Sequence, residues 1–200
     1  MPATRLRPLS ACLGILLASA IISFVAVKGI FAMPQAMPSA AAVVKPRAYV
    51  SLAPVPQGKS FEVALVVEIA RGFHMNSHKP SEEYLIPTTI TPQLPAAFKL
   101  LDTIYPAGRL EKFAFSPAKP LDVYTGSVTF KLKLLAQANA PLGPAAIPVI
   151  LRYQACNDAA CLPPVKVPVN VQLEVAAAGA EAQPSHPEIF SATVPTNLLK

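Results

Sequence analysis

The chain is 200 residues long, half of them hydrophobic and only 14% charged, and this length suits one domain with terminal extensions. It contains no Trp and 23 prolines; prolines at this density argue against a mainly helical fold, because each one inside a helix removes a hydrogen bond and clashes with the preceding turn. The net charge is +6 without a run of Lys or Arg, which argues against nucleic-acid binding, since that needs a clustered basic face.

The N-terminal segment has the pattern of an export signal. Arg5 and Arg7 precede Leu9–Val27, which is 19 residues without charge, and small residues follow. This order is typical of a secretory signal, but 19 apolar residues also suffice to span a bilayer as a helix. We therefore predict that residues 1–32 are a cleaved signal peptide or an uncleaved membrane-anchor helix, with the remainder exported in both cases. A buried helix of a soluble protein is the remaining alternative.

The rest of the chain has the periodicity of β-strands. Residues 33–47 are rich in Pro and Ala and predict a linker. Beyond them, apolar and polar residues alternate, as in Phe61–Ala70, where every second residue from Phe61 to Ile69 is apolar. We predict strands at Phe61–Ala70, Tyr84–Thr91, Leu100–Tyr105, Ser127–Leu135, Ala146–Cys156 and Lys166–Val175. Residues 177–200 are of low complexity and predict a flexible tail.

These strands predict an all-β fold. They are short, proline-rich turns separate them, and no long segment of helical period follows residue 32. Residues 48–176 have the length of one immunoglobulin-like antiparallel β-sandwich. The Trp that marks antibody domains is absent, so the similarity concerns the architecture alone.

Two cysteines lie in the predicted exported domain, Cys156 and Cys161, because Cys12 falls within the apolar N-terminal segment. An even number of cysteines in an oxidising compartment predicts a disulfide. Residues five apart in an extended strand lie roughly 16 Å apart, beyond disulfide reach, so the bridge needs a chain reversal, which Asn157 and Asp158 favour. A disulfide that closes a loop of only four residues contributes little to the stability of the fold. The spacing alone leaves a structural staple and a redox pair equally open.

A metal site is the alternative from another class. His74 and His78, together with the two cysteines, are suitable ligand types for copper or zinc. Their spacing places both histidines on one face of a helix, but about 13 Å apart along a strand. We therefore predict no metal and no cofactor. No catalytic triad and no glycine-rich phosphate loop are visible either.

Two motifs resemble a known family. The stretch YQACNDAACLPP, Tyr153–Pro164, and the upstream stretch GFHMNSHKPSEEYLIPT, Gly72–Thr88, are similar in sequence and in order to the periplasmic N-terminal domain of the DsbD family of thiol:disulfide interchange proteins. The similarity covers roughly residues 48–176. It implies an immunoglobulin-like domain in the periplasm that carries reducing equivalents as a thiol-disulfide oxidoreductase. An exported binding or assembly module with a purely structural disulfide remains the alternative.

The resemblance also implies roles for the two cysteines. Cys161 would form the mixed disulfide with thioredoxin-like exported proteins, and Cys156 would resolve it. The chain has neither the membrane domain nor the thioredoxin-like domain of full-length DsbD, so the membrane-embedded electron donor is expected on another chain. The spacing has four residues between the cysteines, where a DsbD domain has five, which changes the turn and not the ability to bridge. Asp158 favours a raised thiol pKa, which suits a passive electron carrier.

Five further residues are expected to support the pair. Tyr153 and Gln154 match the family motif directly before the cysteines, and Pro163 stiffens the chain after them. The family shields its cysteines with a loop that carries an aromatic residue, for which Phe113 and Phe115 are the candidates here. Such a shield is needed because an open thiolate reacts with any oxidant or disulfide.

Overall fold

The computed structural model of the chain describes residues 37–191, which are mostly β-strand. Its elements are α1 (Ala40–Val43), β1 (Val44–Val50), β2 (Leu52–Ala53), β3 (Val55–Pro56), β4 (Ser60–Ile69), β5 (His74–Asn76), β6 (Thr89–Pro92), β7 (Phe98–Ile104), β8 (Arg109–Phe113), β9 (Ser116–Tyr124), β10 (Ser127–Ala136), β11 (Gly143–Tyr153), β12 (Ala155–Cys156), β13 (Val165–Ala176), β14 (Gln183–Pro184) and α2 (Pro187–Phe190). The predicted N-terminal signal or anchor helix lies outside the described residues.

Two four-stranded sheets form a sandwich of immunoglobulin topology. One sheet has the order β1-β4-β10-β7 and the other β3-β13-β11-β6. All neighbours are antiparallel except β13 and β3, which are parallel. If β1, β4, β6, β7, β10, β11 and β13 are taken as strands A to G, the sheets read A-B-E-D and G-F-C, which is the immunoglobulin arrangement. The predicted fold class is confirmed.

The core lies between these sheets and follows from the alternation in the sequence. In β4, every second side chain from Phe61 to Ile69 is buried, while Glu62 and Glu68 lie on the outer face. Both sheets contribute to one cluster, which includes Val63, Leu65, Phe130, Leu132, Ile147, Val149, Leu151 and Val171. A third sheet, of order β12-β5-β9-β8, contains Cys156 in its strand β12.

Some element boundaries differ from those expected. The strand predicted at Tyr84–Thr91 begins only at Thr89, because Leu85 donates its N–H to Glu82 in a turn and Pro87 has no N–H for a ladder. Strand β1 begins at Val44, within the predicted linker, and its Pro46 is tolerated because β1 is an edge strand.

Two elements follow the predicted domain end at residue 176. Strand β14 pairs with β2, and the Lys131 ammonium donates to the carbonyl oxygen of Phe190 in α2 at 3.3 Å. Within residues 37–191, no helix has the length and apolar character that crossing a membrane requires.

Candidate functional site

Cys156 and Cys161 are joined by a disulfide across a tight turn. Their sulfur atoms are 1.98 Å apart and their Cα atoms 3.9 Å apart. The Asn157 N–H donates to the carbonyl oxygen of Ala160 at 3.0 Å. The Asn157 side-chain oxygen accepts the N–H groups of Ala159 and Ala160 at 2.9 and 2.8 Å. Asn157 thus closes the turn with both its backbone N–H and its side-chain oxygen, as the preference of asparagine for turns predicts.

The two cysteines differ in accessibility. Cys156 is 1% exposed, whereas Cys161 is exposed and follows three exposed residues of the turn. Cys156 lies in β12, which pairs with β5, while Cys161 makes only an isolated bridge back to Cys156. A protein partner can therefore approach Cys161 far more easily than Cys156.

Tyr153 and Gln154 fix the position of the turn. Tyr153 is fully buried, and its hydroxyl donates to the carbonyl oxygen of Ala40 at 2.9 Å. The Gln154 side chain accepts from the Asn76 amide and donates to the Leu162 carbonyl oxygen, both at 3.4 Å. The two residues predicted from the motif thus anchor the hairpin to Ala40, Asn76 and Leu162.

Tyr153 leads to a prediction on alkaline stability. Burial raises the pKa of Tyr153 to about 12, against about 10 for an unfolded tyrosine. Between these two pH values, the folded state holds more protons than the unfolded state. The contribution of Tyr153 to the free energy of unfolding is therefore fully present below about pH 10 and falls as the pH rises toward about 12. We expect Tyr153→Phe to cost about 1 kcal/mol near pH 7, because Ala40 loses its donor, and to weaken the alkaline decline.

Urea unfolding near neutral pH and at about pH 11 measures both effects. Tyr84→Phe is the matched control, because Tyr84 is 72% exposed. An alkaline decline of the same steepness in Tyr153→Phe and in the wild type contradicts the assignment.

A buried histidine lies beside Cys156. His74 is the antiparallel partner of Cys156 in the β5–β12 pair and is 3% exposed. Its Nε2 atom is buried without a hydrogen-bond partner. Burial lowers the pKa of His74, and the negative charge of Asp158 opposes this effect. The sequence alone indicated His74 only as a potential metal ligand, although it lies in the upstream motif that carries the family resemblance.

Phe113 covers this histidine. The two rings stack with centroids 4.1 Å apart and planes 25° from parallel. Phe113 ends β8 and is buried with Leu85, Leu121 and Val123 in a small cluster. Of the two candidate shielding residues, Phe113 is thus the one that contacts the neighbour of Cys156.

Phe115 lies on the outer side of this arrangement. It is 47% exposed and stacks on Phe113 at 5.4 Å. The Lys119 ammonium of β9 forms an ion pair with the Glu82 carboxylate at 2.9 Å, which links Glu82 to the β8–β9 hairpin. Phe115 and Lys119 therefore belong to the surface of the β8–β9 hairpin.

Asp158 and Pro163 lie on the surface around the disulfide. Both are exposed. Asp158 also lines an open cavity of about 410 Å³, whose wall includes His74, Phe113 and the charged residues Arg71 and Glu111. This cavity gives solvent a route to the region of His74 and Phe113.

The two histidines considered as metal ligands have different surroundings. His78 stacks on Tyr105 with centroids 3.5 Å apart, and its Nδ1 atom lies 3.1 Å from the Thr88 carbonyl oxygen, whereas His74 stacks on Phe113. Among residues 37–191, no three His, Cys, Asp or Glu side chains are grouped as metal ligands would be.

Comparisons with known proteins give a family and two solved structures. The family model described as thiol:disulfide interchange protein DsbD, N-terminal, matches residues 40–173. The reduced DsbD N-terminal domain of Neisseria meningitidis is 18% identical, with 72% of this chain and 92% of that chain covered and a TM-score of 0.39. The N-terminal periplasmic domain of ScsB from Proteus mirabilis is 17% identical, with 64% of this chain and 46% of that chain covered and a TM-score of 0.42. No curated protein matches significantly.

Proposed function

Because the chain belongs to the family of the N-terminal domain of thiol:disulfide interchange protein DsbD, we propose that it is an exported thiol:disulfide interchange domain. It carries reducing equivalents through Cys156 and Cys161 to or from thioredoxin-like proteins in the periplasm. Residues 1–32 direct the export as a signal peptide or anchor it in the membrane. The electron donor is a membrane-embedded protein.

The observation that carries this proposal is the unequal burial of the two cysteines. To reduce the domain, a donor thiolate attacks the exposed Cys161 sulfur, the Cys156–Cys161 bond breaks, and Cys156 leaves as a thiolate that takes up a proton. A second donor thiol then resolves the mixed disulfide and leaves both cysteines reduced. In the opposite direction, Cys161 attacks an acceptor disulfide, and Cys156 displaces the acceptor thiol and restores the bond.

The surrounding fold supports repeated opening of this bond. All eleven residues of β11, Gly143–Tyr153, pair with β13, and the Leu162 N–H donates to the Ala155 carbonyl oxygen at 2.8 Å. The strands on both sides of the turn are thus held together without the disulfide. Tyr153 and Gln154 keep the turn in place, Pro163 stiffens its exit, and Phe113 shields the buried side.

The reduction potential of the Cys156–Cys161 pair tests the proposal. We expect a value above about −300 mV, which thioredoxin-like proteins can reach. The measurement is thiol trapping of the full chain in defined redox buffers, with Cys12→Ala so that only the pair reacts. A value well below this limit, combined with unfolding on reduction, indicates a structural staple in a binding or assembly module.

A further inference from the structure

We propose that His74 exchanges a proton with the Cys156 thiol each time the disulfide opens or closes. This proposal rests on the proposed thiol:disulfide function, because it requires a Cys156 that becomes reduced. It assigns His74 a role in the exchange reaction that is independent of metal binding.

The strand register places His74 next to Cys156. His74 and Cys156 are directly opposite each other in antiparallel strands, so their side chains point to the same face with Cβ atoms about 5 Å apart. Cys156 is only 1% exposed, so bulk water has little access to its sulfur, whereas His74 lines the open cavity. The unpartnered Nε2 atom of His74 is a hydrogen-bonding group that the oxidised state leaves unused, which is rare for a buried polar atom.

The proton and electron balance follows from this placement. When a donor thiolate bonds to Cys161, the electron pair of the broken S–S bond stays on Cys156. The new negative charge lets the neutral His74 take up one proton from the solvent in the open cavity, and the resulting imidazolium passes this proton to the Cys156 thiolate. In the closing direction, neutral His74 accepts the Cys156 proton, the resulting thiolate attacks Cys161, and the acceptor leaves as a thiolate.

The charges around His74 suit a group that changes its protonation with the redox state. Asp158 in the turn, Glu111 in β8 and Arg71 before β5 line the same cavity as His74, and Phe113 covers one face of its ring. In the oxidised state, burial is the largest influence and keeps the pKa of His74 low. A thiolate at Cys156 places a negative charge next to the ring, which raises the pKa of an imidazole.

The wild-type chain provides the first test. We expect the NMR titration of His74 in the full chain, held in detergent, to have a higher midpoint in the reduced state than in the oxidised state. The signals of His78 and His186 are the internal controls for effects of reduction on the whole domain. A His74 midpoint that is equal in both states overturns the proposal, and this test does not depend on the folding of a variant.

A variant provides the second test. In a chain with Cys12→Ala and Cys161→Ala, Cys156 is the only thiol, and its titration can be followed by thiolate absorbance. We expect His74→Phe, which keeps an aromatic ring against Phe113, to raise the midpoint by about one pH unit, a tenfold change in proton affinity. His78→Phe is the matched control, because it replaces a stacked histidine away from the cysteines, and it leaves the midpoint unchanged. An unchanged midpoint in His74→Phe overturns the proposal.

The two proposals fail in different ways. If the wild-type disulfide does not open in redox buffers poised above about −300 mV, the interchange function fails and the role of His74 fails with it. If the disulfide opens normally while His74 titrates identically in both redox states, only the role of His74 fails.

Discussion

In a chain that also carries Cys12→Ala, we expect Cys161→Ser to stop disulfide exchange completely, whereas we expect Cys156→Ser to give a chain that reacts once and stays bonded to its partner. The reason is the difference in exposure between the two residues. In Cys156→Ser, the exposed Cys161 attacks the partner disulfide, but no second thiol is present to release the mixed disulfide. In Cys161→Ser, the remaining thiol is 1% exposed and does not reach a protein disulfide.

The mixed disulfide is measured directly. Each serine variant is prepared in the full-length Cys12→Ala chain, reduced, incubated with an oxidised thioredoxin-like protein and separated on a non-reducing gel. Cys12→Ala is the matched control, because it removes a cysteine outside the proposed pair, and it retains the wild-type exchange rate. Equal accumulation of adduct in both serine variants contradicts the assignment of Cys161 as the attacking residue.

The strands with strict alternation could be predicted from the sequence. The predicted strands Phe61–Ala70 and Ser127–Leu135 correspond to β4 and β10 with differences of one residue at their ends. Period-2 alternation is a local signal, because each apolar residue reports its own burial. The turn between the cysteines could be predicted for the same reason, since Asn157 closes it with bonds to residues two and three positions ahead.

The surroundings of the cysteines could not be predicted in this way. The predicted strand Ala146–Cys156 is divided at Gln154, and its last two residues leave the large sheet to pair with β5. That pairing is non-local and only two residue pairs long, so it has no periodicity to detect. Strands β8 and β9 were not predicted either. The charged residues of β8 and the two prolines of β9 interrupt the alternation of apolar and polar residues. The proximity of His74 to Cys156 depends on the first of these pairings.

Phe113→Ala is expected to destabilise the domain and to make its disulfide react faster with small thiols. The ring is buried with Leu85, Leu121 and Val123 and stacks on His74, and removing a buried Phe side chain costs about 3 kcal/mol. Its loss also removes the ring that stacks on His74, the strand partner of Cys156, and so opens the surroundings of the disulfide. Urea unfolding gives the free energy, and the rate of opening by dithiothreitol gives the reactivity.

Phe115→Ala separates shielding from general destabilisation. Phe115 contacts Phe113 but is half exposed, so its removal is expected to cost about 1 kcal/mol or less and to leave the opening rate close to that of the wild type. If faster opening of Phe113→Ala reflected global unfolding, the rate would rise steeply with low concentrations of urea, whereas local exposure leaves it nearly constant. A faster rate in Phe115→Ala than in Phe113→Ala would assign the shield to Phe115. Because Phe113 stacks directly on His74 and Phe115 stacks on the exposed side of the hairpin, we expect the rate to respond to Phe113 and not to Phe115.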